Sequence, residues 1–283
     1  MTANGLWRLF LLPGALWLLV LFVAPFGLVI AVSLGSLDFL GRPIFGFNPD
    51  NYLQVLDPIF IPVFVRSAIF AVATTVLCLV IGYPVAYTIA RFGGRFKNVL
   101  LVLIILPWFA DYLVRIYAWF VILGDEGILN GILRAAGLHG NPPVIFLNTP
   151  QAVVGGLVYD YLPFMILPIY AALERMDPSL IEAGKDLYGS PAQTFFNVTW
   201  PATIQGVIAG AVLVGLPSVG DFATAQILGG ANTFMIGNVI QDQFNGAGFW
   251  NVGAAMTIVL MAILSVMMIF YLRWASRPQD MVA

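Results

Sequence analysis

The sequence has little of what soluble enzymes and metalloproteins commonly use. Only 9% of its 283 residues are charged, and it holds one cysteine, Cys78, and one histidine, His139. A single cysteine excludes an internal disulfide and a cysteine-based metal cluster, and a single histidine argues against a histidine-rich metal site. The formal net charge of −2 gives no basis for binding nucleic acid. Soluble domains carry about 25% charged residues, so this composition is too poor in charge for a water-facing surface.

Long apolar runs are what the sequence does contain, since 60% of its residues are hydrophobic. A membrane-spanning helix needs about 20 mostly apolar residues, and uninterrupted runs exclude barrel strands, which alternate at every second residue. We predict an all-α polytopic bundle that forms one domain over residues 1–283, with an uncleaved first span. The six predicted spans are Leu9–Leu34, Val63–Ala90, Val99–Leu123, Ala152–Leu173, Ile204–Leu228 and Val252–Leu272.

The basic residues in the loops predict the orientation of these spans. With a cytoplasmic N-terminus, the outer side holds only Arg42, Arg66 and Arg134. Both termini are then cytoplasmic, and we expect a multi-pass protein of a bacterial inner membrane. The inner side holds Arg8, Arg91, Arg95, Lys97, Arg175, Lys185, Arg273 and Arg277.

The longest predicted cytoplasmic loop, Glu174–Thr203, contains signals for a helical start. Asp177 suits an N-cap with Pro178 at the first helical position. Ser179 with Glu182 offers a capping box as an alternative start, and the sequence leaves both open.

The same loop contains signals for a helical end and a second start. Gly189 suits a left-handed C-cap. Ser190, followed by proline and then by Gln193, suits a second N-cap. We therefore predict two short helices that meet near Gly189 and form an elbow over Asp177–Thr199, a structured surface for docking.

The elbow carries a recognisable motif. Glu182-Ala183-Gly184-Lys185-Asp186-Leu187-Tyr188-Gly189, followed by Val198-Thr199-Trp200-Pro201, resembles the "EAA" loop of permeases in ATP-binding-cassette (ABC) importers. Gly184 replaces the second alanine, Gly189 comes one residue late, and Trp200 replaces a leucine. Other segments resemble the spermidine/putrescine branch, among them Leu106-Pro107-Trp108, Arg115-Ile116-Tyr117-Ala118, Tyr161-Leu162-Pro163 and Gly220-Asp221-Phe222.

This resemblance implies a transport subunit that works with several partners. They are a second homologous permease, two cytoplasmic ABC ATPase subunits, an extracytoplasmic substrate-binding protein and the lipid bilayer. The chain has no G-x-x-x-x-G-K-[ST] phosphate loop, so we expect no enzyme activity and no cofactor here, with ATP and Mg²⁺ on the ATPase subunits. The residues expected to couple to the ATPase are Glu182, Ala183, Gly184, Asp186, Leu187 and Gly189.

Acidic residues inside predicted spans point to a pathway for a cation, because charge in the membrane is costly and usually functional. Asp111, Asp160 and Asp221 all fall in the outer halves of their spans. Aromatic rings beside a carboxylate suit an alkylammonium group. We expect a small cationic solute of the polyamine type, with an opine-like compound or a metal complex as alternatives. The expected pathway residues are Asp111, Trp108, Tyr112, Asp160, Tyr159 and Asp221.

Structural roles for the same charges remain open. Arg115 lies four residues after Asp111 and is a possible partner that neutralises it. Asp221 lies in a Gly-Asp-Phe turn and is favoured for a structural or gating role, since acids in the membrane also cap broken helices. The glycine-rich face Gly206–Gly215 predicts close helix packing, which we expect against the second permease.

Two other classes of protein are alternatives. A secondary transporter would need internal repeats, which we do not find between residues 1–140 and 141–283. An intramembrane enzyme would need paired catalytic groups, which a single histidine makes hard to supply.

Overall fold

A computed structural model describes residues 12–38, 41–138, 145–246 and 248–275. Among them, six helical segments are long and apolar enough to cross a membrane, which confirms the predicted membrane bundle. Leu9–Leu11 of the first predicted span and His139 lie outside the described residues. The six segments are Leu12–Ser33, Ile61–Phe92, Tyr112–Ala135, Pro150–Arg175, Pro191–Val219 and Trp250–Tyr271.

Helices make up nearly all of the regular structure, and a two-residue antiparallel pair, β1 (Ser36–Leu37) with β2 (Pro43–Ile44), is the described exception. The helices are α1 (Leu12–Ser33), α2 (Asp50–Val55), α3 (Ile61–Phe92), α4 (Lys97–Ile105), α5 (Tyr112–Leu123), α6 (Ile128–Ala135), α7 (Pro150–Arg175), α8 (Pro178–Tyr188), α9 (Pro191–Thr194), α10 (Trp200–Val219), α11 (Ala223–Leu228), α12 (Ile236–Asn245) and α13 (Trp250–Ala275).

The chain divides into two compact units. The first unit comprises Met1–Ile61 and Val239–Met267, and the second comprises Pro62–Asn238 and Met268–Ala283. The first unit therefore contains α1, the β pair, α2 and most of α13, and the second contains α3 to α11.

A buried asparagine organises the first unit. The Asn51 side-chain amide donates 2.8 Å hydrogen bonds to the carbonyl oxygens of Ser33 and Gly35, at the end of α1. Its side-chain oxygen accepts a 2.7 Å bond from Asn251 in α13. Because Asn51 is itself on α2, this one side chain ties three helices together.

Close packing of α10 on α7 forms the centre of the second unit. An added Cβ at Gly206 would lie 2.6 Å from the backbone oxygen of Pro168, and one at Gly210 would lie 2.7 Å from Met165 Sδ. Both contacts are too short for a side chain, so the two helices meet only because these positions are glycine. The expectation that this face packs on a second permease is wrong for Gly206 and Gly210, which pack within the chain.

The predicted third span, 99–123, is interrupted. After α4 the chain forms a 3₁₀ turn at Leu106–Phe109, Ala110 is extended with φ −67° and ψ 145°, and α5 then starts with Asp111 as its N-cap. Pro107 lacks the N–H group that would continue the helical hydrogen bonds, and the Asp111 side chain caps the N-terminus of the next helix. By length and composition the third candidate span is instead Tyr112–Ala135, which joins α5 and α6.

A second interruption divides the predicted fifth span, 204–228. Helix α10 ends at Val219, and α11 begins only at Ala223. Pro217 lies in the last turn of α10, and Gly220 is its C-cap.

Candidate functional site

The carboxylate of Asp221 lies in the break between α10 and α11 and joins three helices. Its Oδ1 accepts a 3.0 Å hydrogen bond from the backbone N–H of Thr224, at the start of α11. Its Oδ2 accepts from the hydroxyl of Tyr112 at 2.7 Å and from that of Tyr161 at 3.3 Å. Asp221 is 7% exposed. Three donors therefore stabilise the buried charge, in agreement with a capping role.

Arg115 and Asp160 form a buried ion pair beside Asp221. Nη2 of Arg115 lies 3.4 Å from Oδ1 of Asp160, and the side chains are 9% and 4% exposed. Within the described residues, both carboxylate oxygens of Asp160 lack a hydrogen-bond partner, and so does Nε of Arg115. The charges thus attract each other without the hydrogen bonds that usually accompany a buried pair.

Aromatic rings surround the guanidinium of Arg115. Its Cζ lies 6.0 Å from the ring centre of Trp108 and 5.9 Å from that of Tyr112. Trp108 in turn packs edge-on against Phe164 at 5.4 Å between ring centres. These distances allow cation–π attraction and hold the charge next to the carboxylates.

Two cavities meet at Arg115 and Trp108, which line both. The larger has a volume of about 520 Å³ and combines the two buried acids with aromatic side chains. The smaller has a volume of about 270 Å³ and is largely apolar, with Ile104, Tyr159 and Ile166 in its wall. The larger cavity is lined by Trp108, Tyr112, Arg115, Asp160, Tyr161, Phe164, Leu213, Pro217, Gly220, Asp221 and Phe222.

The predicted elbow starts at Asp177. The Asp177 side chain accepts from the N–H of Ser179, which settles the two alternative starts in favour of Asp177 and lowers the pKa of its carboxyl below the ordinary value. Helix α8 ends at Tyr188, and its C-cap Gly189 has a left-handed φ of 69° as predicted. Ser190 then caps α9 by accepting from the N–H of Gln193.

The second helix of the elbow is not short. Helix α9 continues through a π-helical turn, Phe195–Thr199, directly into α10. The prediction of two short helices is therefore wrong for the second, which is the first part of a long helix.

Gly184 lies inside the elbow. An added Cβ would be 2.9 Å from Cγ2 of both Thr194 and Val198, so a glycine lets α8 lie against the start of the next helix. The neighbouring side chains of Glu182, Ala183, Asp186 and Leu187 are exposed, Leu187 by 75%. The expectation that Gly184 belongs to the contact surface is corrected by its burial.

Residues 79–278 match the family described as "Binding-protein-dependent transport system inner membrane component". This match covers more than half of the chain. The chain belongs to this family of transport permeases. The permease is therefore a multi-pass inner-membrane subunit of a binding-protein-dependent importer, not a gradient-driven carrier or an intramembrane enzyme.

Two curated relatives match the permease over most of its length. It is 39% identical over 257 residues to the spermidine/putrescine transport system permease protein PotB of Haemophilus influenzae, with 91% of this chain and 90% of the relative covered. It is 38% identical over 261 residues to PotB of Escherichia coli K12, with 92% of this chain and 94% of the relative covered.

Solved structures share the fold at low sequence identity. A chain of a bacterial ABC transporter involved in the import of the acidic polysaccharide alginate matches with a TM-score of 0.78 and 18% identity, over 98% of the permease and 97% of that chain. A chain from the alginate transporter in complex with an alginate pentasaccharide-bound periplasmic protein matches with a TM-score of 0.71 and 17% identity, over 97% and 95% of the two chains.

The structure of the permease brings most of the predicted pathway residues together. Trp108, Tyr112, Asp160 and Asp221 line the larger cavity, and Tyr159 lines the smaller one. Asp111 is exposed and lines neither of these two cavities, because its side chain caps α5 by accepting from Leu113 and Val114.

The structure also corrects the pairing of Arg115. The sequence offered Asp111 as the partner at four residues' distance, whereas the structure pairs Arg115 with Asp160 on another helix. The sequence analysis gave no role to Thr224 and named Tyr161 only within the segment Tyr161-Leu162-Pro163. That segment was the available signal for Tyr161.

Proposed function

We propose that the permease forms part of the pathway for a small organic cation of the polyamine class, with spermidine and putrescine as its first candidate solutes. The observation that carries this proposal is the 38–39% identity to the PotB relatives over 91–92% of the chain. Substrate class in such a system also depends on the binding protein, so the membrane cavity provides a second, independent argument.

The charge in the larger cavity supports a cationic solute. It contains two buried carboxylates, Asp160 and Asp221, and one guanidinium, Arg115, which leaves one negative charge. Rings of Trp108 and Tyr112 border the same space. An alkylammonium group is stabilised by both features, through ion pairing and cation–π attraction. A polyanion would meet an excess of negative charge.

The pathway that we propose runs from the outer side of the membrane, with both termini of the chain in the cytoplasm. Asp111, exposed at the start of α5, is a first contact for the solute. Asp160, Asp221, Trp108 and Tyr112 follow in the larger cavity, and Tyr159 follows in the smaller one.

The remaining subunits of the importer are also part of this proposal. They are a second homologous permease, two cytoplasmic ABC ATPase subunits that bind ATP and Mg²⁺, and an extracytoplasmic solute-binding protein. The exposed face of α8 supports docking to an ATPase, because Leu187 and Leu180 are 75% and 48% exposed on a helix that also carries Glu182 and Asp186. Exposed leucines among charges are typical of a protein contact.

Uptake by the complete importer tests the solute class. We expect ATP-dependent accumulation of radiolabelled spermidine or putrescine in proteoliposomes that contain both permeases and the ATPase, with the binding protein on the outer side. A radiolabelled octopine-type opine and a radiolabelled ferric complex are supplied in parallel assays for the two alternative solute classes. Accumulation of either of these, together with no accumulation of a polyamine, contradicts the proposal.

A further inference from the structure

We propose that Arg115 competes with the substrate for the carboxylate of Asp160. The Arg115 guanidinium pairs with this carboxylate in the empty permease and is displaced by an ammonium group of the passing solute. This inference rests on the proposed import of an organic cation. Arg115 then has two roles: it neutralises the buried Asp160 carboxylate when no solute is bound, and it makes a positive charge on the solute necessary for binding.

The ion pair between Arg115 and Asp160 is loose. Charged N–H···O bonds are about 2.7–2.9 Å long and often bidentate for arginine, whereas the closest N···O distance here is 3.4 Å. Both Asp160 oxygens lack a hydrogen bond to any residue in the described part of the chain. A primary ammonium group carries three donors, so its arrival adds hydrogen bonds that the present pair does not make.

Asp221 is not equivalent to Asp160, although both are buried acids of the same cavity. Asp221 already accepts from Tyr112, Tyr161 and the backbone of Thr224. These three donors occupy most of the roughly four lone-pair positions of the Asp221 carboxylate. Asp160, which accepts no hydrogen bond within the described residues, is therefore the carboxylate of this cavity with more acceptor capacity to offer.

The guanidinium of Arg115 has a second environment within reach. Arg115 lines the larger cavity and also the smaller, largely apolar one. The rings of Trp108 and Tyr112 lie about equally far from its Cζ, at 6.0 and 5.9 Å. The ring of Trp108 lines both cavities, so cation–π attraction to it retains the displaced guanidinium, but an apolar surrounding keeps the guanidinium less stable than it is beside a carboxylate.

This difference makes the exchange reversible. The solute must offset the cost of moving Arg115, so its net affinity is lower than that of an empty carboxylate site. Conduction through a membrane requires binding that is strong enough for entry and weak enough for exit. A neutral solute of the same size has no charge with which to displace Arg115, and Asp160 therefore selects against it.

Equilibrium binding to the assembled importer tests the exchange. The complete complex in nanodiscs, without binding protein or ATP, is dialysed against radiolabelled spermidine. We expect Arg115→Gln to lower the Kd at least about tenfold, which corresponds to about 1.4 kcal/mol, because the competing charge is gone. Arg115→Lys keeps the charge, and its Kd should stay within about threefold of wild type on the same scale. Arg134→Gln, which breaks the exposed pair with Glu126, is the matched control and should change nothing.

A measurement on the wild-type importer keeps the test independent of how the variants fold. Phenylglyoxal modification of Arg115 is followed by peptide mass spectrometry, with Arg134 as the internal reference. A displaced guanidinium is freer to react, so spermidine should accelerate modification of Arg115 relative to Arg134. A solute that only covers the cavity should slow it.

The outcomes separate this inference from the proposed function. If the wild-type importer accumulates spermidine but the well-assembled Arg115→Gln complex binds it with an unchanged or higher Kd, the exchange is overturned and the proposed function is not. Slowed or unchanged modification of Arg115 in the presence of spermidine overturns it as well. No accumulation of any polyamine by the wild type contradicts the proposed function itself.

Discussion

Tyr112 donates a 2.7 Å hydrogen bond to Oδ2 of Asp221, although 109 residues separate the two in sequence. Tyr112 is the first residue of α5, and Asp221 lies in the break that precedes α11. The bond therefore links the two places where the helices of this unit are interrupted. Because both breaks border the larger cavity, a change in the backbone of either break moves side chains that line this cavity.

Tyr112→Phe removes this link and leaves the ring in place. Asp221 keeps the donors Tyr161 and Thr224, so we expect a loss of about 1 kcal/mol in stability rather than unfolding. Thermal denaturation of the assembled importer measures the loss. Tyr117→Phe, at a ring that is 56% exposed, is the control. Equal melting temperatures for the two variants would show that the bond does not stabilise the breaks.

Substitutions at Asp111 separate helix capping from solute transport. Asp111→Ala removes the acceptor for Leu113 and Val114, and N-cap losses cost about 1 kcal/mol. Asparagine is as good an N-cap as aspartate, so Asp111→Asn should leave the melting temperature unchanged. Its uptake of spermidine falls only if the charge contacts the solute. Collapse of Asp111→Asn expression would contradict the structure, in which Arg115 has a different partner.

Two adjacent positions of the elbow should respond differently to leucine. Gly184→Leu forces a side chain into contact with Thr194 and Val198, and overpacking of this kind costs about 1–3 kcal/mol. Ala183→Leu adds bulk to an exposed position, where changes usually alter stability by less than about 0.5 kcal/mol. We expect Ala183→Leu to fold normally and to lose ATP-driven uptake, because the proposed ATPase contact is blocked.

The measurement is uptake together with the ATPase activity that the loaded binding protein stimulates. A destabilised Gly184→Leu with a stable but uncoupled Ala183→Leu agrees with the structure. Normal uptake by Ala183→Leu means that the ATPase does not dock on this face of α8.

Local signals located the helix ends of the elbow but not the ion pair in the cavity. Caps depend on residues within a few positions of each other, so Gly189 and Ser190 could be placed from the sequence, and the start of α8 was limited to Asp177 or Ser179. The pair of Arg115 with Asp160 depends on how two helices are packed. The sequence places Asp111 four residues before Arg115, a suitable spacing for an ion pair, and gives no reason to prefer a distant carboxylate as the partner of Arg115.

Hydropathy located six spans because about 20 apolar residues are needed regardless of packing. It did not reveal that the third predicted span is broken, since Pro107 is compatible with a kinked helix as well as with an interruption. The deciding feature was Asp111, whose capping hydrogen bonds start a new helix. A carboxylate in an apolar run suggested a ligand site more readily than a cap.

The same limit applies to glycine-rich faces, which predict that a helix approaches closely but not which one. For Gly206 the structure answers that the neighbour is α7, since an added Cβ would lie 2.6 Å from the Pro168 carbonyl oxygen and 2.7 Å from Ala172 Cβ. Gly155, on α7 itself, has nothing within 4 Å of an added Cβ. Substitution of these two glycines by alanine is therefore expected to have opposite effects on the stability of the permease.

Gly206→Ala should destabilise the permease and Gly155→Ala should not. Alanine favours a helix over glycine by up to about 1 kcal/mol, so Gly155→Ala should be neutral or slightly stabilising. At Gly206 this gain is outweighed, because a backbone oxygen cannot move aside without separating α7 from α10, and overpacking costs about 1–3 kcal/mol. Denaturation of the permease, measured with and without its partner permease, distinguishes the contacts. If Gly206→Ala weakens only the association of the two permeases and leaves the melting of this chain unchanged, Gly206 lies at the subunit interface. A lower melting temperature in both states places the contact within the chain.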